Sequence, residues 1–186
     1  MFTMISAFFK NLGVNSFTAE SKNGVTTLKV EGIKGVNPLA PLFEKHLELG
    51  YWKTDNIKLL VEFFKYFSAG AQSYKSGLIA ILGILYKYPN KRTKTLEEWV
   101  ALTEEYFNEV NQGYISGHHL IQPLKGRGVN AGNIIAWRVV FPEKFKPALP
   151  MKSFQFNVYG SEGKALEAAI QYRDSILDSH LKGLEG

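Results

Sequence analysis

The order of apolar and polar residues predicts a β-hairpin at the beginning of the chain. Two alternating runs flank the dipeptide Asn23-Gly24, which suits the left-handed backbone of a two-residue turn. Since alternate side chains of a strand share a face, the apolar positions of both runs fall on one side. The residues expected on this buried face are Phe17, Ala19, Leu28 and Val30.

Apolar residues then recur with the spacing of four helices. The first helix is expected after Pro38, and the second after Asp55, which can act as its N-cap. The third, Tyr74 to Tyr86, is apolar nearly all round, which favours a central position. Thr95 and Glu98 form a capping box at the start of the fourth. The apolar stripe of this fourth helix is Trp99, Leu102, Tyr106 and Val110.

From about residue 113, short β-like runs separated by Gly, Pro and Asn replace the helical spacing. The runs are ISGHHLIQPLK, NIIAWRVVF and KSFQFNVYG, and a final helix begins at Ser161. In the third run, Gln155 and Asn157 alternate with apolar residues up to Tyr159. We expect a three-stranded antiparallel sheet packed on one helix. The predicted fold class is therefore α+β, with one domain at residues 1–112 and a second at 113–186.

Composition narrows the function classes. The chain has 186 residues, 45% of them apolar, and no cysteine. That length can bury a core without disulfides, and the lack of cysteine excludes a thiol nucleophile and Cys-based zinc sites. The longest apolar run is too short to span a bilayer, so we predict no membrane partner and an intracellular protein, in an organelle or the cytoplasm. No nucleotide fingerprint or hydrolase motif occurs, and no cofactor is predicted.

The net charge of +5 is concentrated in one stretch of the sequence. Residues 113–154 carry six basic and one acidic side chain. This pattern is expected where one surface meets a polyanion, although a solvated face would give a similar excess. His118 and His119 are adjacent on a segment predicted to be extended, where they would point to opposite faces, so no metal site is predicted.

Candidate binding residues lie on the predicted sheet. Arg138, Gln155 and Asn157 would face away from the helix, and their side chains are types that read base edges. Nearby cations would bind phosphates. These cations are Lys125, Arg127, Lys144, Lys146 and Lys152, the last three in the loop before the third strand. The alternative is an ordinary solvated sheet face.

Residues 124–178 resemble a known family. The stretches concerned are Gly132-x-x-x-Ala136-Trp137-Arg138-Val139, Phe154-x-Phe156-x-x-Tyr159-Gly160 and Glu162-x-x-Ala165-x-x-Ala168-Ala169-x-x-Tyr172-Arg173-Asp174. This pattern is similar to the Apetala-type DNA-binding domain of plant ethylene-response factors, phage integrases and mobile-element nucleases. The resemblance implies binding to a DNA groove through the sheet. The strands carry fewer arginines than the plant pattern.

Residues 15–92 resemble the closing portion of a LAGLIDADG homing endonuclease unit. The stretches concerned are SFTAESKNGVTTLKVEGIKGVNPLAPLFEKH, GYWKTDNIKLLVEFFKYFSAG and KSGLIAILGILYKYPNKR. In that family, two carboxylates hold magnesium for cleavage, one from each repeat or subunit. Here the residues before the hairpin, MFTMISAFFKNLGVN, contain no carboxylate. No catalytic residue and no metal ligand is therefore assigned.

These features together predict a non-catalytic nucleic-acid-binding protein derived from a mobile-element endonuclease, with duplex DNA favoured over RNA. Two alternatives stay open. One is a magnesium-dependent homing endonuclease whose acids come from a homodimer or a partner subunit. The other is an RNA-binding structural component of a splicing or ribosomal particle. Whether the chain has any enzyme activity is left open.

Overall fold

The computed structural model confirms the α+β fold class, since it combines helices with a hairpin and a three-stranded antiparallel sheet. The chain divides into two compact units, residues 1–64 and 65–186. The predicted domain boundary after residue 112 stays a prediction. The structure describes residues 17–22, 25–30, 37–45, 54–87 and 92–185.

The first unit contains the predicted hairpin. Strands β1 (Phe17–Lys22) and β2 (Val25–Val30) pair antiparallel in a single register. Lys22 pairs with Val25, so the connection has the predicted length, although Asn23-Gly24 itself lies outside the described residues. The four residues predicted to share a face are direct partners, Phe17 with Val30 and Ala19 with Leu28.

Two helices follow the hairpin. A 3-10 turn, Asn37–Leu39, leads into the short helix α1 (Ala40–Lys45), and α2 spans Thr54–Ser68. Helix α2 begins one residue before Asp55, so this residue lies in the first turn and not at the predicted N-cap position. The carboxylate of Asp55 is 3.9 Å from the Lys58 ammonium, and a negative charge in the first turn suits the helix dipole.

The second unit contains a helix pair. Helix α3 (Lys75–Lys87) lies within one residue of its predicted bounds, and it packs against α4 (Leu96–Gln112). The capping box at the start of α4 is confirmed. The Thr95 hydroxyl accepts from the Glu98 amide at 3.2 Å, and the Glu98 carboxylate accepts from the Thr95 amide at 2.6 Å.

The buried face of α4 differs from the predicted stripe. Thr103 and Phe107 are buried, whereas Trp99, Leu102 and Tyr106 are 39–55% exposed. The exposed three lie beside the packed face, next to an apolar groove that Leu78 and Leu82 of α3 also line. Helical spacing predicts the helix, but the buried residues Thr103 and Phe107 each lie one position after a residue of the predicted stripe.

The sheet consists of β3 (Ile121–Lys125), β4 (Ile134–Val139) and β5 (Lys152–Gln155), in that order. The long helix α6 (Glu162–Glu185) packs against β4 and β5. Trp137 and its partner Phe154 are both buried, as are Ala165 and Ala169 of α6. The predicted sheet on one helix is therefore confirmed, with the small alanines allowing close approach.

The third strand is shorter than predicted. It ends at Gln155, and a single helical turn, α5 (Phe156–Tyr159), follows and closes at Gly160 with φ 81°. Residues three apart share one side of a helical turn, but they would lie on opposite faces of a strand. The turn brings both half-buried aromatic rings against buried ones, with Phe156 6.0 Å from Trp137 and Tyr159 5.7 Å from Phe154.

A buried phenylalanine anchors the loop between β4 and β5. Phe145 has no exposed surface, and its ring lies 5.8 Å from Tyr74 and 5.5 Å from His180. The amide of Lys146 donates to the carbonyl of Ala69 at 3.1 Å. These contacts fix the loop backbone to the helices, while the lysine side chains on either side of Phe145 stay exposed.

Candidate nucleic-acid interface

One face of the sheet is covered by α6, and the other carries polar side chains. Arg138 pairs with Gln122 of β3 and Ser153 of β5, so the three side chains share this open face, and all three are exposed. The Arg138 guanidinium donates through Nε to the Ser153 hydroxyl at 3.2 Å. The outward position predicted for Arg138 is confirmed.

Gln155 and Asn157 are brought together, although not by the predicted strand. Gln155 lies two residues from Ser153 on β5 and is exposed on the same face. Asn157 was predicted on that face as well, but this is wrong because it belongs to the helical turn α5. Both residues line a hollow of about 330 Å³ at the end of the sheet. The hollow is lined by Asn130, Ile134, Ile135, Gln155, Phe156 and Asn157.

Lys125 and Arg127 lie near this hollow. Lys125 is the last residue of β3 and pairs with Ile134, one of the lining residues. Arg127 directly precedes the 3-10 turn Gly128–Asn130, which carries a second lining residue. Both basic side chains are exposed. The structure therefore places two cations beside the hollow and one, Arg138, on the adjacent open face.

Lys152 has a different position from the one predicted. It is the first residue of β5 and not part of the preceding loop. Its ammonium lies over the rings of Phe154 and Tyr172, at 5.4 and 5.1 Å from their centroids. Cations are attracted to the electron-rich face of an aromatic ring. Because Tyr172 belongs to α6, Lys152 points to the helix side of the sheet.

The two other predicted cations, Lys144 and Lys146, flank the buried Phe145 in the loop after β4. The carbonyl of Lys146 is 3.3 Å from His180 Nε2, which connects this part of the loop to α6. Lys144 is near enough to His119 to lower the pKa of that imidazole. Lys144 and Lys146 therefore lie near His119 and His180, and neither lines the hollow at the end of the sheet.

The sequence does not predict three polar residues of the open face and the hollow. These residues are Gln122, Asn130 and Ser153. Gln122 and Ser153 are recognised as partners of Arg138 only when the strand order and register are known. Asn130 reaches the hollow because Gly126 bridges to Ala131 and folds the connection back. A signal visible in the sequence is that the three strands contain no acidic residue.

The second cleft has a volume of about 300 Å³ and a mixed polar lining. Arg173 donates to the His119 carbonyl at 3.1 Å and pairs with the Asp174 carboxylate at 2.7 Å. Burial, together with Arg173 and then Lys144, lowers the pKa of His119. The cleft is lined by Tyr74, Lys75, Ser76, Phe107, Asn108, Asn111, His119, Arg173, Asp174, Leu177 and Asp178.

His118 and His119 lie in a turn and not in the extended segment that was predicted. The Ser116 hydroxyl donates to the Ile121 backbone carbonyl at 2.8 Å, and the Asn111 side-chain oxygen Oδ1 accepts from the His119 backbone amide at 2.7 Å. These side-chain bonds satisfy backbone groups that a strand would pair with a neighbour. Burial also lowers the pKa of His118.

Comparison with family models, curated proteins and solved structures gives no match to this chain. Both family resemblances therefore stay predictions. In the ranges that the structure describes, no group of three or more His, Asp or Glu residues is placed to hold a metal ion. Across those same ranges, no helix has the length and apolar character needed to cross a bilayer.

Proposed function

We propose that this protein binds duplex DNA through the open face of the sheet β3-β4-β5. The observation that carries the proposal is Arg138, which is exposed at the centre of that face between two polar partners, Gln122 and Ser153. The opposite face packs on α6, so the sheet is rigidly supported from behind. No carboxylate on the three strands opposes a polyanion.

The side chains suit two kinds of DNA contact. Arg138 can form paired hydrogen bonds with a guanine, and Gln155 can do so with an adenine, in the major groove. Lys125 and Arg127 border the same region and can neutralise phosphates, which would set the position of the protein on the duplex. Lys144, Lys146 and Lys152 lie elsewhere, and the proposal gives them no contact.

A fluorescence anisotropy titration tests the proposal. Labelled duplexes of random sequence are titrated with the full chain at about 50 and 200 mM salt, an interval over which phosphate binding weakens strongly. Arg138→Gln is expected to weaken binding severalfold, because it removes a cation from the face that meets the DNA. Lys182→Gln, an exposed charge in the last turn of α6, is the matched control and should bind like the wild type.

Two results would overturn the proposal: no binding at the lower salt concentration, or equal affinities for wild type and Arg138→Gln. The same titration addresses the alternatives. Tighter binding to duplex RNA of equal sequence would favour the structural RNA-binding function. Nicking of a supercoiled plasmid only when magnesium is present would favour the endonuclease.

A further inference from the structure

The hollow at the end of the sheet combines an apolar floor with an amide rim. Ile134, Ile135 and Phe156 supply the apolar part, while Asn130, Gln155 and Asn157 supply amide groups from three different elements. Its volume of about 330 Å³ falls in the range of about 300–1,000 Å³ that small-molecule pockets occupy. A planar, polar molecule with one apolar face would match this lining.

The amide groups are free to bind a ligand. Within the described part of the chain, the side chains of Asn130, Gln155 and Asn157 make no hydrogen bond, and all three residues are exposed. An amide carries two N–H donors and an oxygen acceptor, so it can bond to the donor and acceptor groups on the edge of a nucleobase. Since the fold does not use these groups, they are available for recognition.

Phe156 supplies a surface for stacking. Its ring is half-buried and held 6.0 Å from the Trp137 ring, which is itself buried. A fixed aromatic ring at the floor of a hollow can stack on any base, because every base has a π-face. The ring and the amide rim together provide the two contacts, stacking and edge hydrogen bonds, by which proteins hold unpaired bases.

The cations beside the hollow favour a base that is attached to phosphates, as each nucleotide of a nucleic acid is. Lys125 pairs with Ile134 of the hollow, and Arg127 precedes the turn that carries Asn130. Both exposed side chains start close to the hollow and would contact phosphates next to an inserted nucleotide. Arg138, on the adjoining open face, would contact the paired DNA next to it.

We propose that the hollow binds one unpaired base of DNA, so that the protein prefers a duplex with an extra unpaired nucleotide over a fully paired one. The proposal rests on the duplex-DNA binding proposed above and names the form of DNA that the same region recognises. Extruding a base costs free energy that is smallest when the base has no partner. The preference is therefore expected for a bulge.

Three duplexes of otherwise identical sequence test this proposal with the full-length chain. The first is fully paired, the second has one unpaired adenine, and the third has an abasic residue in place of that adenine. We expect the second to bind about tenfold more tightly than the first, a typical gain from stacking one base. The third should bind like the first, since it has the flexibility of a bulge but no base.

Two variants test whether the preference for the unpaired adenine arises in the hollow. Asn130→Ala removes one rim amide, and Phe156→Leu removes the stacking ring while keeping an apolar side chain. Each is expected to remove most of the preference for the unpaired adenine with little change in affinity for the paired duplex. Asn133→Ala, an exposed asparagine of the same connection that does not line the hollow, is the matched control.

The outcomes separate this proposal from the one on which it rests. Equal affinity for all three duplexes would leave DNA binding standing and would overturn the base site. An abasic bulge that binds as tightly as the adenine bulge would also overturn it, because bending and not base contact would then explain the preference. No binding to any duplex would overturn DNA binding, and the base site with it.

Discussion

At the scale of single residues, Tyr74 and His180 form a buried hydrogen bond that fixes how the helices meet. The Tyr74 hydroxyl is 2.9 Å from His180 Nδ1, and His180 Nε2 is 3.3 Å from the Lys146 carbonyl. A carbonyl only accepts, so Nε2 carries the proton and Nδ1 accepts from the tyrosine. Burial raises the pKa of Tyr74 to about 12, so the hydroxyl stays protonated into the alkaline range.

Replacing this tyrosine should destabilise the fold without changing its shape. Tyr74→Phe keeps the ring contacts but leaves His180 Nδ1 buried without a donor, which costs about 1–3 kcal/mol of unfolding free energy. Urea denaturation at pH 7 measures the difference. Tyr86→Phe is the control, because its hydroxyl bonds to the Lys94 carbonyl at an exposed position. Equal destabilisation of the two variants would contradict the role given to the buried bond.

His119 makes stability depend on pH. Burial, Arg173 and Lys144 all lower the pKa of His119 in the folded chain, relative to about 6.5 when unfolded. At acid pH the unfolded chain therefore binds the proton more strongly. The folded chain therefore loses unfolding free energy at acid pH. The contribution from neutral His119 is fully present above pH 6.5 and is lost as the pH falls through the lowered pKa.

The variant His119→Gln cannot take up that proton. We expect its unfolding free energy to fall less than that of the wild type between pH 7 and pH 5, measured by urea denaturation. His118→Gln should show a smaller effect, because Asp174 partly offsets the influences that lower the pKa of His118. Parallel pH profiles for wild type and His119→Gln would show that the imidazole does not contribute.

At the scale of elements, the helical turn α5 depends on the glycine that ends it. Gly160 has φ 81°, a backbone conformation that costs other residues about 1–2 kcal/mol. Gly163 lies in the first turn of α6, and a Cβ at either position would meet no atom within 4 Å. The two glycines therefore differ in backbone conformation and not in available space.

Alanine at these two positions is expected to change the free energy of unfolding in opposite directions. Gly160→Ala should destabilise the chain by about 1 kcal/mol because alanine is strained at positive φ. Gly163→Ala should stabilise it by up to about 1 kcal/mol, since alanine is the better helix former. Thermal or urea unfolding measures both changes. A Gly160→Ala variant as stable as the wild type would contradict the left-handed end of α5, and destabilisation by Gly163→Ala would contradict the expected gain in helix propensity.

The elements that the sequence predicted well are those specified by neighbouring residues. The capping box of Thr95 and Glu98 and the register around Asn23-Gly24 involve groups only a few positions apart. Alternation in the third predicted strand continues past Gln155, but the contact of Phe156 with Trp137, which lies on the neighbouring strand, favours a turn. Such tertiary contacts override local preference and leave no local pattern in the sequence.

At the scale of the whole molecule, the basic stretch of residues 113–154 separates into two groups in the fold. Both groups contain three cations, and they differ in what surrounds them. Lys125, Arg127 and Arg138 border the open face and the hollow. Lys144 and Lys146 flank the buried Phe145, and Lys152 lies over the rings of Phe154 and Tyr172. A count of charge along the sequence could not distinguish these environments.

The separation predicts different salt dependences for two variants of equal charge. Changing Lys125, Arg127 and Arg138 to Gln should reduce the slope of log affinity against log salt by up to about 0.9 for each phosphate that the variant no longer neutralises. Changing Lys144, Lys146 and Lys152 to Gln removes the same charge from positions that the proposal keeps away from DNA, so the slope should change by less than about 0.9 in total. Anisotropy titrations of one duplex over a series of salt concentrations measure both slopes. Equal reductions in the two variants would mean that net charge, and not the open face of the sheet, determines how the protein meets DNA.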